Sequence, residues 1–499
     1  MTHTFGDLVG HRRTARVIAP DELAEHVKGL LAVGYRPALV AGHDDTTRLR
    51  AVYLFTQAGS DHRVELHVPL DRAAERLPSL AGLSFPIGRF EREMRDLFGI
   101  VPAEHPLPRR LVRHFHWPRG WYPMRADAGD PPEFGDVDGP YPFRTVEGPG
   151  VYEIPVGPVH AGMIEPGHFR FSVVGETILN LKARLWFVHK GLEKLFQGRR
   201  PDQGVELAER ISGDTAVGHT LAYCIAVEDA LDISVPAAAR RDRAVLLELE
   251  RLHNHVADIG ALCNDVGHGI LHAHAGRIRE WLLRANEEIT GHRLLRGAIR
   301  PGTTRLLAAP DTEFLATIAM DVAEIAGLAV EHSVVRDRFG GTARLTAGQA
   351  ADLGVLGYVA RASGLTFDAR HDHPFVRPPL PRSAPSHTEG DVLSRFLIRN
   401  GEIQESVAWI SALLDGAADL EPDLPGVAAR SGVGIVEGWR GAIAHRVEIA
   451  RDGTLSRVKV VDPSFFNWPA LPVALADTIV PDFPLVNKSF NLSYAGNDL

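Results

Sequence analysis

Residues Glu209–His219 read ERISGDTAVGH, and a distant second stretch, Val461–Trp468, reads VDPSFFNW. The first lies between two segments of strong helical character. Apolar spacing predicts a helix over Leu221–Leu231, and others over Leu246–Ile259, Ile278–Ile289, Phe314–Val330 and Val392–Leu414. Helices of this length predict a large, mainly α-helical core. The second stretch follows a hairpin in which HRVEIA and LSRVKVV flank Asp452–Gly453, a strong short-turn signal. A strand therefore runs straight into Asp462, a rigid way to deliver Ser464 and Asn467.

Outward from this pair, the chain divides into 1–125, 126–150 and 151–499. The first part predicts a small α/β domain. DELAEHVKGLLAVG, from Asp21, has an N-cap-like Asp, helical spacing and a terminal Gly. RLRAVYLFTQ and HRVELHVPL predict two strands, with Val64, Leu66, Val68 and Leu70 alternating onto one buried face. FEREMRDLFGI places opposite charges four apart, such as Glu91 and Arg95, the pattern of a solvated helix. Residues 126–150, rich in Pro, Gly and Asp, predict an extended linker or docking strap, with Tyr141 and Phe143 packing on the following domain. In that domain Phe169, Phe171 and Val173 alternate as a strand ending at Gly175–Glu176. Ile178, Leu181, Leu185, Val188, Leu192 and Leu195 then keep the spacing of a helix. The fold class is α+β: a small α/β domain plus a large helical domain carrying small β elements.

Composition narrows the function. A net charge of −9 with no basic stripe excludes nucleic acid as a partner. No apolar run reaches the ~18 residues of a membrane span, and the first residues lack the apolar region of a secretory signal. Any membrane attachment must come from other subunits. The only cysteines, Cys224 and Cys263, cannot build a zinc knuckle or an iron–sulfur cage and read as small buried side chains in a reducing compartment. His253 and His255 point to different helix faces. His268 and His272 have metal-compatible spacing but no third ligand. No P-loop and no strand-associated GxGxxG supports direct ATP or NAD binding.

The order of motifs resembles a known family. ERExxDxFGI, HPxxRR and a Trp-containing tail within Phe90–Arg125 resemble the C-type subunit of complex I (NADH-quinone oxidoreductase). From Val151, GPVHAGMIEPGHFRF, FVHKGLEKLF, ELERLHNHVADIG, RASGLTFDARHDHPF, VEGWRGAIAHRVEI and the C-terminal DPS resemble the fused C/D-type large subunits of formate hydrogenlyase and hydrogenase-4. The D-type subunit of complex I is a more distant match. ERISGDTAVGH and VDPSFFNW stand where nickel–iron hydrogenases carry R-I-C-G-x-C and D-P-C-x-x-C, so Ser212, Thr215, Ser464 and Asn467 occupy the four thiolate positions. Nickel and iron at such a centre need soft sulfur ligands; hydroxyls that stay protonated and a neutral amide are poor substitutes. The resemblance therefore implies a hydrogenase-shaped pocket without the metal and hydrogen turnover absent from this polypeptide.

The same resemblance assigns the surrounding residues. Glu165 takes the place of a proton-passing acid, with a solvated loop carboxylate as the alternative. Arg440 matches an arginine that overhangs the active site, against a surface salt bridge at the start of the hairpin. Arg210, Asp214 and Asp462 flank the replaced ligands and, if buried together, would form an ion-pair network. For a quinone, the headgroup tyrosine of the D-type complex I chain falls near Gly213, leaving His160 and His168 as candidate contacts. The expected role is coupling of electron transfer, at an iron–sulfur cluster held by a small subunit of the complex I B type, to proton or ion movement in antiporter-like membrane subunits. This places the chain peripherally on the cytoplasmic side of the membrane, with no directly bound cofactor. The alternatives are a non-catalytic assembly scaffold and a quinone-reducing subunit with a remodelled pocket.

Overall fold

The computed structural model describes residues 7–10, 12–135, 137, 139, 141–376, 387–416 and 430–499. Near the N-terminus, five strands form one sheet: β1 (Asp7–Gly10), β2 (Arg13–Val17), β3 (Tyr35–Asp44), β4 (Leu49–Gln57) and β5 (Arg63–Leu70). Their spatial order is β1-β2-β5-β4-β3, with β2 and β5 parallel and the other neighbours antiparallel. Helix α1 (Leu23–Ala32) connects β2 to β3. Val64, Leu66, Val68 and Leu70 form the expected buried face, but Arg63 and Glu65 on the other side are buried too. Both faces of the sheet are covered, and the charges buried on the second face are paired, Glu65 with Arg13 and Arg446 and Arg63 with Asp61.

The charged segment after this sheet forms α2 (Phe85–Phe98), and here the expectation of a solvated helix fails. Nearly all of α2 is buried. Glu91 does not pair with Arg95; it accepts hydrogen bonds from Leu80 N at 2.6 Å and Ser79 Oγ at 2.7 Å. Asp96 accepts from the amides of Leu111, Val112 and Arg113 at 2.8, 2.9 and 3.2 Å. Charges four apart say nothing about burial when the protein supplies other partners: Glu91 ties down the turn at Ser79–Leu80 and Asp96 the Pro-rich loop at Leu111–Arg113.

Strands β6 (Val151–Val156), β7 (His168–Val174) and β8 (Thr177–Arg184) form an antiparallel sheet with β7 in the middle. The stripe from Ile178 to Leu195 was expected to be one helix. Instead Thr177–Arg184 is β8, pairing with β7, and only Leu192–Phe196 is helical. Gly175–Glu176 is the turn joining β7 and β8. Ile178 and Leu181 fit either period, and the bulge between Ile178 and Asn180 lets both face the core. Within the strap, Tyr141 and Phe143 lie as expected against this sheet, while Phe134 packs on Trp117 and Trp121. Tyr141 lies 5.0 Å from the Arg184 guanidinium, and Phe143 stacks 4.0 Å from that of Arg170.

The helical core contains α3 (Ala216–Leu231), α4 (Ala237–Asp265), α5 (Gly269–Thr290), α6 (Thr312–Glu331), the short α7 (Gly357–Ala362) and α8 (Ala369–Asp372), and α9 (Val392–Leu414). All five long helices expected from periodicity are present. The final sheet has three strands, β9 (Ser431–Gly438), β10 (Gly441–Ile449) and β11 (Leu455–Val461). Strand β9 lies directly on α3. A Cβ at Gly432 or Gly434 would come within 2.0 Å of Ala226 O or 1.9 Å of Ala222 O, so only glycine admits this contact. Ion pairs join this sheet to the N-terminal elements: Arg446 to Glu65 at 3.0 Å and Lys459 to Glu93 at 2.7 Å. Cys224 and Cys263 are free and buried in α3 and α4. No described helix is long and apolar enough to cross a membrane.

Candidate functional site

The segment Ile211–Thr215 is a tight turn feeding α3. Glu250 on α4 closes that helix start, accepting from Val217 N at 2.6 Å and Gly218 N at 2.9 Å, and burial pushes its carboxyl up to about 8. Thr215 precedes the helix, and its hydroxyl and that of Ser212 both donate to Asp214 Oδ1 at 3.0 Å. The turn between β9 and β10 places Arg440 over this point. Its Nη1 and Nη2 donate to Asp214 Oδ1 and Oδ2, each at 2.7 Å, and Nε donates to Asn491 O at 2.5 Å. Desolvation would raise the Asp214 carboxyl, but the Arg440 pair overrides it and holds the group well below the usual carboxylate range. Trp439 Nε1 donates to Asp214 O at 3.1 Å, and its ring lies 3.9 Å from the Arg440 guanidinium.

The other half enters from β11. Asp462 caps α10 (Pro463–Asn467), its Oδ1 accepting from Ser464 N at 2.7 Å. Its Oδ2 accepts from His219 Nε2 at 2.9 Å, and His219 Nδ1 shares a 3.0 Å hydrogen bond with His445 Nε2. Burial opposes ionisation of Asp462, yet the His219 hydrogen bond and the Arg440 charge keep it below its ordinary range. Ser493 joins the two halves: its N–H donates to Ser464 Oγ at 2.9 Å and its Oγ shares a 2.8 Å bond with Ser212 Oγ. Asn467 is engaged at both ends of its amide, accepting from Leu356 N at 2.8 Å and donating to Leu356 O at 3.2 Å.

The structure brings Asp214, Arg440 and Asp462 into this web, but not as one ion-pair network. Asp214 pairs with Arg440 and Asp462 with His219. Arg210 is outside it: its side chain is 55% exposed and donates to Glu206 O at 2.8 Å. Two residues past the end of the helix Pro201–Ala208, an Arg satisfies a free carbonyl more readily than it enters a buried pocket. Glu165 reaches the rim, accepting from Ala495 N at 2.9 Å at the start of α11 (Tyr494–Asp498). His160 Nε2 lies 3.3 Å from Tyr494 Oη, whereas His168 turns to Gly157 O at 3.1 Å. Asp498, buried beside Val188 and His189, is pushed by burial up to about 6.

The donor set does not suit a nickel–iron centre. Ser212, Thr215 and Ser464 are hydroxyls already bound to protein groups, and both ends of the Asn467 amide are taken. None supplies the thiolate that bridges and stabilises these metals. A histidine–acid metal spacing occurs at His43, Asp45 and Glu448, but Arg50 bridges Asp45 at 2.8 Å and Glu448 at 3.0 Å, and Arg446 meets Glu448 at 2.7 Å. Among the described residues, His268 and His272 form no such group. Sequence reasoning missed Ser493, His219, His445 and Asn491. His219 ended the opening motif and His445 lies in the VEGWRGAIAHRVEI stretch that carries Arg440, so both could have been found there; Asn491 and Ser493 lie far away in sequence, with no local spacing to mark them.

Three family profiles match the chain in succession. They are respiratory-chain NADH dehydrogenase, 30 Kd subunit, over residues 13–131; nickel-dependent hydrogenase over 190–263; and respiratory-chain NADH dehydrogenase, 49 Kd subunit, over 265–422. Formate hydrogenlyase subunit 5 of Escherichia coli (strain K12) is 32% identical over 465 residues, 90% of this chain and 82% of the relative. Hydrogenase-4 component G of the same organism is 32% identical over 422 residues, covering 82% and 73%. The fold is also similar to a chain of the membrane-bound sulfane sulfur reductase, an archaeal respiratory membrane complex, with a TM-score of 0.63 at 23% identity over 70% of this chain and 99% of that one.

Proposed function

Since the chain belongs to the family of fused C/D-type large subunits that includes formate hydrogenlyase subunit 5 and hydrogenase-4 component G, homologous to the C-type and D-type chains of complex I, we propose that it is the peripheral large subunit of a membrane-associated oxidoreductase complex and works without a nickel–iron centre. The observation that carries this reading is the closed web at the ligand positions, where Ser493 links Ser212 to Ser464 and Arg440 clamps Asp214. Hydroxyls and an amide whose partners are protein groups hold the two halves in register and can hand on protons, but they cannot carry electrons.

In this account electrons stay on an iron–sulfur cluster of a small subunit that docks on the cytoplasmic side. The large subunit passes protons or redox-linked movement toward antiporter-like membrane subunits. Glu165 at the rim, the Asp214–Arg440 pair and the His219–Asp462 pair are the groups that respond to a charge arriving nearby. The test is proton movement per electron in vesicles carrying the assembled complex. Glu165→Gln and Arg440→Met should lower that ratio while the complex still assembles. Full coupling in both variants would overturn the reading in favour of an assembly scaffold.

One observation favours a second reading, in which the pocket binds quinone. Tyr494, from a distant segment, meets His160 at 3.3 Å and supplies the phenol that the first motif lacks. Protection of the complex by quinone analogues, lost in Tyr494→Phe, would support it; indifference to quinones would dismiss it.

A further inference from the structure

A second set of buried charges lies between β3, α4, α7, α8, α9 and β9, beside a cavity whose other walls include Leu356, Val461 and Phe466 next to Asp462 and Asn467. Four carboxylates, Glu248, Asp368, Glu402 and Glu437, are buried here with three guanidiniums, Arg251, Arg361 and Arg370. Arg361 reaches Glu402 at 2.6 Å, Glu437 at 2.9 Å and Asp368 at 3.5 Å. Arg370 reaches Asp368 at 2.7 Å and Glu248 at 3.4 Å, while Arg251 reaches Glu248 at 3.0 Å and Glu402 at 3.5 Å. With Arg36 and Asp372, which line the cavity beside Glu437, the set among the described residues holds five carboxylates against four guanidiniums, a surplus of one. A surplus buried charge costs several kcal/mol, and protonating one carboxyl is the usual escape.

Glu437 is the member placed to take that proton. A cavity of about 60 Å³ opens against it, lined also by Arg36, Asp372 and His373. That is room for roughly four water molecules. The remaining faces of Glu437 are protein. Its Oε2 accepts from Ala369 N at 2.9 Å, and its carbonyl accepts from Arg251 at 2.7 Å. Arg36 stacks 3.2 Å from the centre of the Phe367 ring, on the N-terminal side of the cavity, and feels the charges of Asp372 and Glu437. His373 is held by Asp61 at 2.8 Å, and Glu405 stands at the outer edge, 3.9 Å from Arg370. Behind the cluster, His255 Nε2 donates to Glu402 at 2.8 Å.

We propose that this cavity is a proton-exchange port, in which water delivers a proton to the Glu437 carboxylate and converts its ion pair with Arg361 into a neutral-acid hydrogen bond. Loading the port moves one proton from water to a Glu437 oxygen, with no change of oxidation state. Burial, reinforced by Asp368, pushes the Glu437 carboxyl up to about 7, so the exchange falls where the surrounding medium can drive it in either direction. The port rests on the coupling reading for its use, but its existence can be tested without it.

The experiment is an infrared titration of the full chain between pH 5 and 9, following the carboxylic-acid C=O stretch. The expected result is an amplitude that titrates near neutrality and is lost in Glu437→Gln. In Arg36→Gln, removal of the facing cation should keep the amplitude and raise its midpoint. Glu91, Glu250 and Asp498, also raised by burial, form a background common to all three proteins. An unchanged band in both variants overturns the port. If Glu437→Gln does not fold, the Arg36→Gln midpoint decides alone, and an unmoved midpoint overturns it. Because the titration uses the chain without its partners, failure here leaves proton coupling in the complex to be judged by the vesicle measurement.

Discussion

Replacing Asp214 with Asn removes one charge from a pair whose other member has no route to water. The Arg440 side chain is 3% exposed and Asp214 40% exposed. Breaking a fully buried pair by deleting one partner costs about 3–5 kcal/mol. Here the half-exposed carboxylate is partly screened, and the Asn carbonyl still accepts one hydrogen bond, so the expected cost is about 2–3 kcal/mol. The chain is too large for one two-state transition, so the loss should be read locally, by native-state hydrogen exchange at the Thr215 and His219 amides. These close the turn through Ser212 O at 3.1 Å and Thr215 O at 3.3 Å. Exchange there should accelerate roughly 30- to 150-fold while α5 and α6 keep the parent rates. The double variant Asp214→Asn, Arg440→Met should recover part of the loss, because no unpaired charge remains. Exchange within about twofold of the parent, or a double variant as costly as the two singles combined, would refute an energetically significant clamp.

Ser493→Ala removes the hydroxyl that bonds Ser212 and accepts from Gly496 N at 2.9 Å. It should weaken protection of the C-terminal α11 by about 1–2 kcal/mol in the same exchange experiment, and parental protection would count against Ser493 as the link. Gly434→Ala drives a methyl into Ala222 O at 1.9 Å. Because both partners are backbone, the chain should lose at least about 3 kcal/mol or fail to accumulate folded, checked by soluble yield and thermal midpoint. Glu250, raised to about 8, contributes stability that is complete below the ordinary carboxyl range and drains as pH rises through about 8. Denaturation midpoints should therefore fall between pH 5 and 8, and Glu250→Gln should flatten that slope while lowering stability overall.

The long helices and the last hairpin were legible because their periods are long and uninterrupted: α9 begins and ends at the residues that periodicity names. The segment after Gly175 was not, since six apolar residues at helical spacing also fit a strand with one bulge followed by a short helix. Charge pattern misled at α2 for a different reason. Glu91 and Asp96 bind backbone amides of neighbouring loops, and a sequence does not reveal which amides will lack partners. At the site, Asp214, Arg440, Asp462 and Glu165 could be named because each sits beside a recognisable motif. Arg210 sat equally close and faces solvent, since one residue of rotation at a helix end decides which side it takes. Ser493 becomes a neighbour of the motifs only through tertiary folding, and His445, though in the same stretch as Arg440, meets His219 only there.

The proposed function requires that this pocket keep the hydrogenase frame without its metals. Elemental analysis for nickel and iron of the purified full-length chain, produced in cells supplied with nickel, tests it most directly. Neither metal should be present in stoichiometric amount, with the same background in a Ser212→Ala, Ser464→Ala variant. Stoichiometric nickel in the parent chain that disappears in that variant would contradict it.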